Sequence, residues 1–258
     1  MPDGTGICAA TEFIPCKGIV FDKDGTLIDI WPMLAALMRE RLRCLSAHVR
    51  EEALESVARG VGFDRRTGTM APFGPLASAA RRDEVAVAAG ALYLAGIPWH
   101  QAHSIARESY DEADRTLDVT TGVRLLPGVP ATLSALREAG LPLFVVTSDG
   151  HDRTVKMLSH LGVAGFFKAV VCAEDVAHTK PDPEAVLLCA KDLGVSPAEL
   201  AVVGDGPQDA LMARRAGARS VGVLTGVSSY EDLEGLCDVV LGSLSQIVRP
   251  PRVCLPLE

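Results

Sequence analysis

From about residue 125 onward, short runs of β-branched and apolar residues alternate with stretches of helical period, the pattern of repeated βα units around a parallel sheet. The candidate strands are Leu143–Thr147, Ala169–Cys172, Ala201–Gly204, Ser220–Leu224 and Val239–Leu241. Amphipathic helices lie between them, and each has a glycine stop: Asp152–Leu161 ends at Gly162, Pro183–Leu193 at Gly194 and Pro207–Ala216 at Gly217. These strands want a sixth neighbour, which Gly18–Phe21 supplies, an apolar run that ends on Asp22. Between that run and the rest, positions 29–122 have a different texture. They show Ala/Leu/Arg/Glu-rich helical stretches at 33–59, 77–95 and 98–117 and no strand run, with a turn-rich loop from Gly60 to Met70. The pattern predicts an α/β fold. Residues 1–28 and 123–258 form a Rossmann-like parallel-sheet core with helices on both faces, and an all-helical subdomain at 29–122 is inserted after the first strand. The segments before about residue 17 and after 249 read as loose tails.

The length of 258 residues suits one main core and a smaller appendage, and 48% hydrophobic residues are ample to pack it. The net charge of −8 and the absence of a Lys/Arg run longer than a pair such as Arg65–Arg66 argue against a nucleic-acid partner. A small phosphorylated metabolite fits better, because a few placed cations can bind it locally. The seven cysteines are scattered without a C-x-x-C pair, so they read as reduced, mostly buried thiols. The first twenty residues lack a basic start followed by an apolar stretch, and the run from Val85 to Trp99 is broken by Gly90, Gly96 and Pro98. The expectation is a soluble cytoplasmic protein without a membrane partner.

Four short segments fall where strand readings end. They are Asp22-Lys-Asp-Gly-Thr-Leu, Thr147-Ser148, Lys180-Pro-Asp-Pro and Gly204-Asp-Gly-Pro-Gln-Asp. In open parallel α/β sheets the carboxyl ends of the strands line the ligand crevice, so all four converge there. Together they resemble the haloacid dehalogenase superfamily, and within it the phosphatases similar to phosphoglycolate phosphatase. The resemblance covers about residues 17–28 and 123–248, and the inserted helical segment takes the place of a cap. It implies that Asp22 is the nucleophile, that Asp24 is the general acid/base and that Thr147, Ser148 and Lys180 bind phosphate. It further implies that Asp22, Asp205 and Asp209, with the backbone carbonyl of Asp24, hold Mg²⁺, leaving the Asp24 side chain free.

Physical chemistry asks for the same residue types. A carboxylate approaching a phosphate monoester meets repulsion that only a cation cancels, and crowded carboxylates raise one another's pKa without one. Mg²⁺ prefers a few oxygen ligands and keeps waters. A second carboxyl two residues beyond the nucleophile, in a chain just leaving a strand and bending at Gly25, can protonate the leaving group and then activate water. Lys180 and the Thr147 hydroxyl add positive charge and a hydrogen bond for the transferring oxygens, and Pro181 and Pro183 stiffen the lysine's loop.

Blander roles exist for several of these residues. Asp182 suits a cap, Asp209 could simply open a helix, and Thr147 could be a structural strand-end hydroxyl. Lys180 could be a solvated lysine. His100 and His103 lie one helical turn apart but lack a third metal ligand, and His178 reads as solvated. Arg65 and Arg66 could reach a substrate anion, although a tight turn with its charges in water is the favoured reading. Among rival functions, a sugar phosphomutase would share the aspartyl-phosphate. Dehalogenation would dispense with Asp24, and a non-catalytic binding module would not need competent side chains at every motif. The interval from Thr147 to Lys180 has room for one helix and one strand only. Selection of the ester is therefore expected from the insertion, hinged near Asp29–Pro32 and Thr121–Gly128.

Overall fold

The computed structural model describes residues 5–72, 74–79 and 81–248. Its first element corrects the reading of a loose amino-terminal tail. Strands β1 (Gly6–Ala9) and β2 (Glu12–Pro15) form an antiparallel hairpin, with Cys8 opposite Phe13 and Ala9 opposite Glu12. Each strand is only four residues long, too short for alternation to show in the sequence, yet Ile7, Cys8 and Ala9 are all buried. The expectation of reduced thiols also needs correction, since Cys8 is disulfide-bonded while Cys16, Cys44, Cys172, Cys189 and Cys237 are free. The expected tail after 249, with Cys254, lies outside the described residues. Next come β3 (Gly18–Phe21), fully buried, and the short β4 (Ile28–Asp29).

The chain divides into two compact units, one of residues 1–29 with 124–258 and the other of 30–123. The second unit is helical: α1 (Trp31–Ser46), α2 (Glu51–Gly60), α3 (Pro75–Ser78), α4 (Arg81–Leu94) and α5 (Trp99–Thr116). The stretch expected at 33–59 is two helices, because the chain turns at positions 47–50, and the stretch at 77–95 is likewise split. Ala35, Met38, Leu42 and Leu45 recur at helical spacing along α1 and meet Leu54 and Val57 of α2 in the core of this unit. Small residues at Ala88, Ala89, Ala102 and Ala106 fill the packing of α4 and α5. One cation is enclosed there. Arg41, 3% exposed, pairs with Glu84, reaches Asp114 at 3.2 Å and stacks 4.5 Å from the centroid of the Tyr110 ring.

The first unit resumes at β5 (Arg124–Leu125), which pairs antiparallel with β4, so that Asp29 faces Arg124 and accepts from its Nε and Nη2 at 2.9 and 2.7 Å. The positions expected to act as free hinges are thus partly tied into a two-stranded ribbon. Then follow α6 (Val129–Glu138), β6 (Leu143–Val146), α7 (His151–His160), β7 (Ala169–Val171), α8 (Glu184–Leu193), β8 (Leu200–Gly204), α9 (Pro207–Ala216), β9 (Arg219–Val223), α10 (Tyr230–Leu233), β10 (Val239–Leu241) and β11 (Ile247–Val248). β11 pairs antiparallel with β1. The main sheet has six parallel strands in the order β10-β9-β8-β3-β6-β7. Val20, Phe144 and Val202 on one face pack with Val186 of α8 and Met212 of α9, while Ile19, Phe21 and Val145 between them are buried on the other. β3 sits centrally, with β6 on one side and β8 on the other. The chain reverses its direction of travel across the sheet there, so the carboxyl ends of these three strands flank one crevice. No helix among the described residues is long and apolar enough to cross a membrane.

Both tryptophans, Trp31 and Trp99, lie in the helical unit, so their fluorescence reports on it alone. Arg41→Ala leaves Glu84 buried without its partner and is expected to destabilise that unit by about 3–5 kcal/mol. Urea unfolding followed by tryptophan emission checks this; a loss below about 1 kcal/mol would show that the ion pair is not the element holding these helices together.

Candidate active site

Parallel pairing sets the positions of the acids. Asp22 is the first residue beyond β3, and its backbone N–H donates to the carbonyl of Val203 on β8 at 2.8 Å. Asp205 is the first residue beyond β8, and Asp209 is the third residue of α9. The Asp209 carboxylate accepts from the Gly206 N–H at 3.2 Å, so it does cap the helix, as the bland reading held, while also facing the crevice. All three carboxylates are buried, and each offers an oxygen within 4.8 Å of the others. Gly204 has no room for a Cβ, which would overlap the Asp209 carboxyl group, and a Cβ on Gly226 would likewise run into Asp205.

Lys180 joins this cluster from the loop after β7. Its Nζ donates to Asp22 Oδ1 and lies 2.7 Å from Asp209 Oδ1, off the direction of a hydrogen bond, with only 6% of the side chain exposed. The solvated-lysine reading is therefore set aside. The loop is held by Arg215, whose Nη1 donates to the Pro181 carbonyl at 3.0 Å, and the Lys180–Pro181 peptide is cis. Asp182 caps the start of α8 by accepting from the Glu184 N–H at 3.0 Å.

Burial pushes the Asp22 carboxyl above its usual range, and the neighbouring Asp209 adds to this while Lys180 opposes it. Burial with the charges of Asp22 and Asp209 also raises Asp205, to about 8, although the Val227 N–H, donating to its Oδ2 at 3.1 Å, works the other way. The ammonium of Lys180 is opposed by burial but raised overall by Asp209 and Asp22.

These residues fit a hard divalent cation. Three carboxylates face one ammonium, every donor is oxygen, and Asp22 Oδ2 is buried without a hydrogen-bond donor. No other group of three or more His, Cys, Asp or Glu among the described residues could hold a metal ion.

The Asp24 side chain lies outside the group of three carboxylates and is engaged by a lysine instead. Lys23 Nζ donates to both its oxygens, at 2.6 and 2.5 Å, and lies 3.0 Å from Asp149 Oδ2. Lys23 has no exposed surface, so its charge needs carboxylate partners, and these two supply them. Burial and the Asp149 charge raise Asp24 while Lys23 draws it down; Asp149, raised by burial but lowered more by Lys23 and Arg153, lies below its ordinary value. Thr147 is buried and its Oγ1 accepts from the Asp149 N–H at 3.1 Å, whereas Ser148 is exposed. Lys23 and Asp149 were missed in the sequence. The available signal was a lysine flanked by two acids directly after a fully apolar strand. The segment Thr225-Gly226-Val227 was also missed. It follows β9, and the Thr225 hydroxyl donates to the Gly25 carbonyl at 2.6 Å. Gly25 turns with φ +81°, a conformation in which a side chain would be strained.

Arg65 and Arg66 belong to the helical unit, where Arg65 Nη1 donates to Glu51 at 2.5 Å and lies 3.5 Å from Glu55. Asp64 accepts from the N–H groups of Arg66 and Thr67, so the tight-turn reading describes this loop, with Arg66 exposed. His100 and His103 are exposed on α5, and the His103 ring sits 5.9 Å from Trp99. His178 is exposed as well.

The family model for haloacid dehalogenase-like hydrolases matches residues 16–217. Phosphoglycolate phosphatase of Escherichia coli K12 is 30% identical over 246 residues, covering 95% of each chain. The enzyme of that name from Salmonella choleraesuis is 32% identical over 249 residues, 93% of each chain. Among solved structures, a predicted phosphoglycolate phosphatase from Haemophilus somnus superposes with a TM-score of 0.65 at 22% identity, over 89% of this chain and 95% of that one. A hydrolase of the same family from Deinococcus radiodurans, with bound phosphate and sodium, gives 0.62 at 22% over 90% and 93%. At that identity the structures speak for the fold alone. With the family match spanning most of its length, the chain belongs to the haloacid dehalogenase-like hydrolases and is a phosphatase of that family.

Proposed function

We propose that this phosphatase hydrolyses a small-molecule phosphate monoester of the phosphoglycolate kind, through an aspartyl-phosphate on Asp22. One observation carries the reading: a buried carboxylate at the end of the central strand is held by a buried ammonium, beside two further carboxylates. The substrate class is supported by relatives named phosphoglycolate phosphatase that match along nearly the whole chain.

In this mechanism Asp22, Asp205, Asp209 and the backbone carbonyl of Asp24 hold Mg²⁺, which when bound supplies the positive charge that lets a carboxylate approach a phosphate anion. Lys180 keeps Asp22 oriented and ionised and places its charge beside the transferring oxygens, with the Thr147 and Ser148 hydroxyls as further donors. An Asp22 oxygen bonds to phosphorus as the ester P–O bond breaks, and Asp24 gives its proton to the departing alkoxide, releasing an alcohol. Water then adds to the phosphorus of the acyl phosphate and gives a proton to Asp24. The P–O bond to Asp22 breaks, so phosphate leaves and both carboxyl groups return to their starting forms. Selection of the ester is assigned to the helical insertion. There Arg65 is committed to Glu51 and Glu55, so Arg66 is the residue offered to a substrate anion.

Activity is expected to vanish on chelation with EDTA and to return with Mg²⁺; undiminished turnover in thoroughly chelated protein would end the metal-assisted reading.

Asp22→Asn is expected to abolish turnover with the fold intact, and Asp24→Asn to slow it by about 10²–10⁴. Mass spectrometry after treatment with substrate or BeF₃⁻ should map the adduct to Asp22, and label on a Ser, His or Cys would refute the assignment.

Arg66→Ala is expected to lower kcat/KM for the preferred ester by about tenfold while sparing a small aryl phosphate. Equal losses on both esters would remove Arg66 from substrate selection.

A further inference from the structure

Lys23 stands between the two acids of the first motif, and the mechanism above gives it no part. Its side chain is entirely buried. Taking an ammonium out of water costs several kcal/mol unless its partners and geometry are good. Those partners are specific: both oxygens of Asp24 at 2.6 and 2.5 Å, and Asp149 Oδ2 at 3.0 Å, with Met157 Sδ 3.7 Å away. Asp149 is in turn 3.2 Å from Arg153 Nε, one turn along α7. The Asp149 backbone N–H also donates to Thr147 Oγ1 at 3.1 Å. Charges therefore alternate from Asp24 through Lys23 and Asp149 to Arg153, and the same Asp149 is bonded to the threonine assigned to phosphate.

We infer that Lys23 is a positioning residue: anchored by Asp149, its ammonium holds the Asp24 carboxyl group in the orientation from which the proton is delivered to the leaving oxygen. This rests on the reading of Asp24 as the general acid. A quarter of the Asp24 side chain is exposed, so packing alone does not fix its rotamer, and contact with both oxygens does. Lys23 is itself fixed, because within its buried site the two carboxylates are the only negative charges its Nζ pairs with among the described residues. Misplacing a reacting group by about 1 Å can cost a hundredfold in rate, which is the scale on which such an anchor acts. Lys23 touches neither the phosphoryl group nor the leaving oxygen in this scheme, so its effect runs through Asp24.

The test uses two esters that differ in their need for an acid. An alkyl phosphate, phosphoglycolate or the alkyl ester the protein hydrolyses best, has a leaving group that must be protonated, whereas p-nitrophenyl phosphate releases a stable anion. Lys23→Met keeps the stem, and its thioether suits the site beside Met157. It is expected to lower kcat/KM for the alkyl ester by about ten- to a hundredfold and for the aryl ester by less than about threefold. Asp149→Asn, which leaves Lys23 in place but loosens its anchor, is expected to shift the alkyl-to-aryl ratio the same way by a smaller factor. It decides the matter if Lys23→Met does not fold by thermal melting. Equal losses on the two esters, or an unchanged ratio in both variants, would mean that Lys23 only closes the structure, and the inference would be wrong. Asp24→Asn separates the two levels. If it leaves the ratio unchanged, the acid assignment fails and this inference with it; if it lowers the ratio and the Lys23 and Asp149 variants do not, only the positioning role is overturned. In the Asp24→Asn background, Lys23→Met should change the ratio no further.

Discussion

Three carboxylates buried within 4.8 Å of one another repel, and the rest of the site can be understood as the means of holding them there. Hydrophobic burial by itself would drive such a cluster apart or protonate it. The fold prevents separation by attaching each acid to a rigid element. Asp22 follows a strand paired on both sides, and its own N–H remains in the ladder with Val203. Asp209 is fixed by capping its helix, and Asp205 by the Val227 N–H. Space for the carboxyl groups comes from Gly204 and Gly226, where any side chain would occupy the position of an aspartate. Lys180 neutralises part of the charge, leaving an oxygen-rich site with a negative excess.

Two lysines divide the labour between two acids that are neighbours in the chain. Lys180 approaches from the loop after β7 and contacts Asp22; Lys23 lies beneath the same turn and contacts Asp24. Asp22 is thereby kept with Asp205 and Asp209, while Asp24 lies outside that group and is held by Lys23. Identical residue types two positions apart thus acquire different environments, as the proposed roles of nucleophile and proton carrier would require. The chain then turns directly after Asp24, at Gly25, whose φ is +81°.

Much of this was legible in the sequence because the central strands of the parallel sheet, β3, β6 and β8, are fully buried and appear as apolar runs, and because Gly194 and Gly217 mark helix ends. The four motifs could be placed at strand ends for the same reason. What escaped had weaker local signals. The β1–β2 hairpin consists of four-residue strands, and its edge partner β11 lies more than 230 positions away in the chain, a pairing that periodicity cannot reveal. Lys23 carries little local sign of burial, because its charge is met by its neighbour Asp24 and by Asp149, which comes from beyond another strand end. Thr225-Gly226-Val227 has no charge to draw attention, and its role lies in a hydroxyl, a missing Cβ and a backbone N–H.

The insertion folds around a core of its own. Residues 30–123 possess their own apolar core and their own buried ion pair, Arg41 with Glu84, so their folding does not draw on the catalytic carboxylates. Their entry and exit are brought side by side by β4 and β5, where Ile28 faces Leu125 and Arg124 clasps Asp29. Closing a loop costs an entropy that grows only with the logarithm of its length, so a ribbon that fixes both ends makes the size of what it carries almost irrelevant to the sheet. Under the proposed division of roles, Arg66 belongs to the unit of residues 30–123 and Asp22, Asp205 and Asp209 to the other.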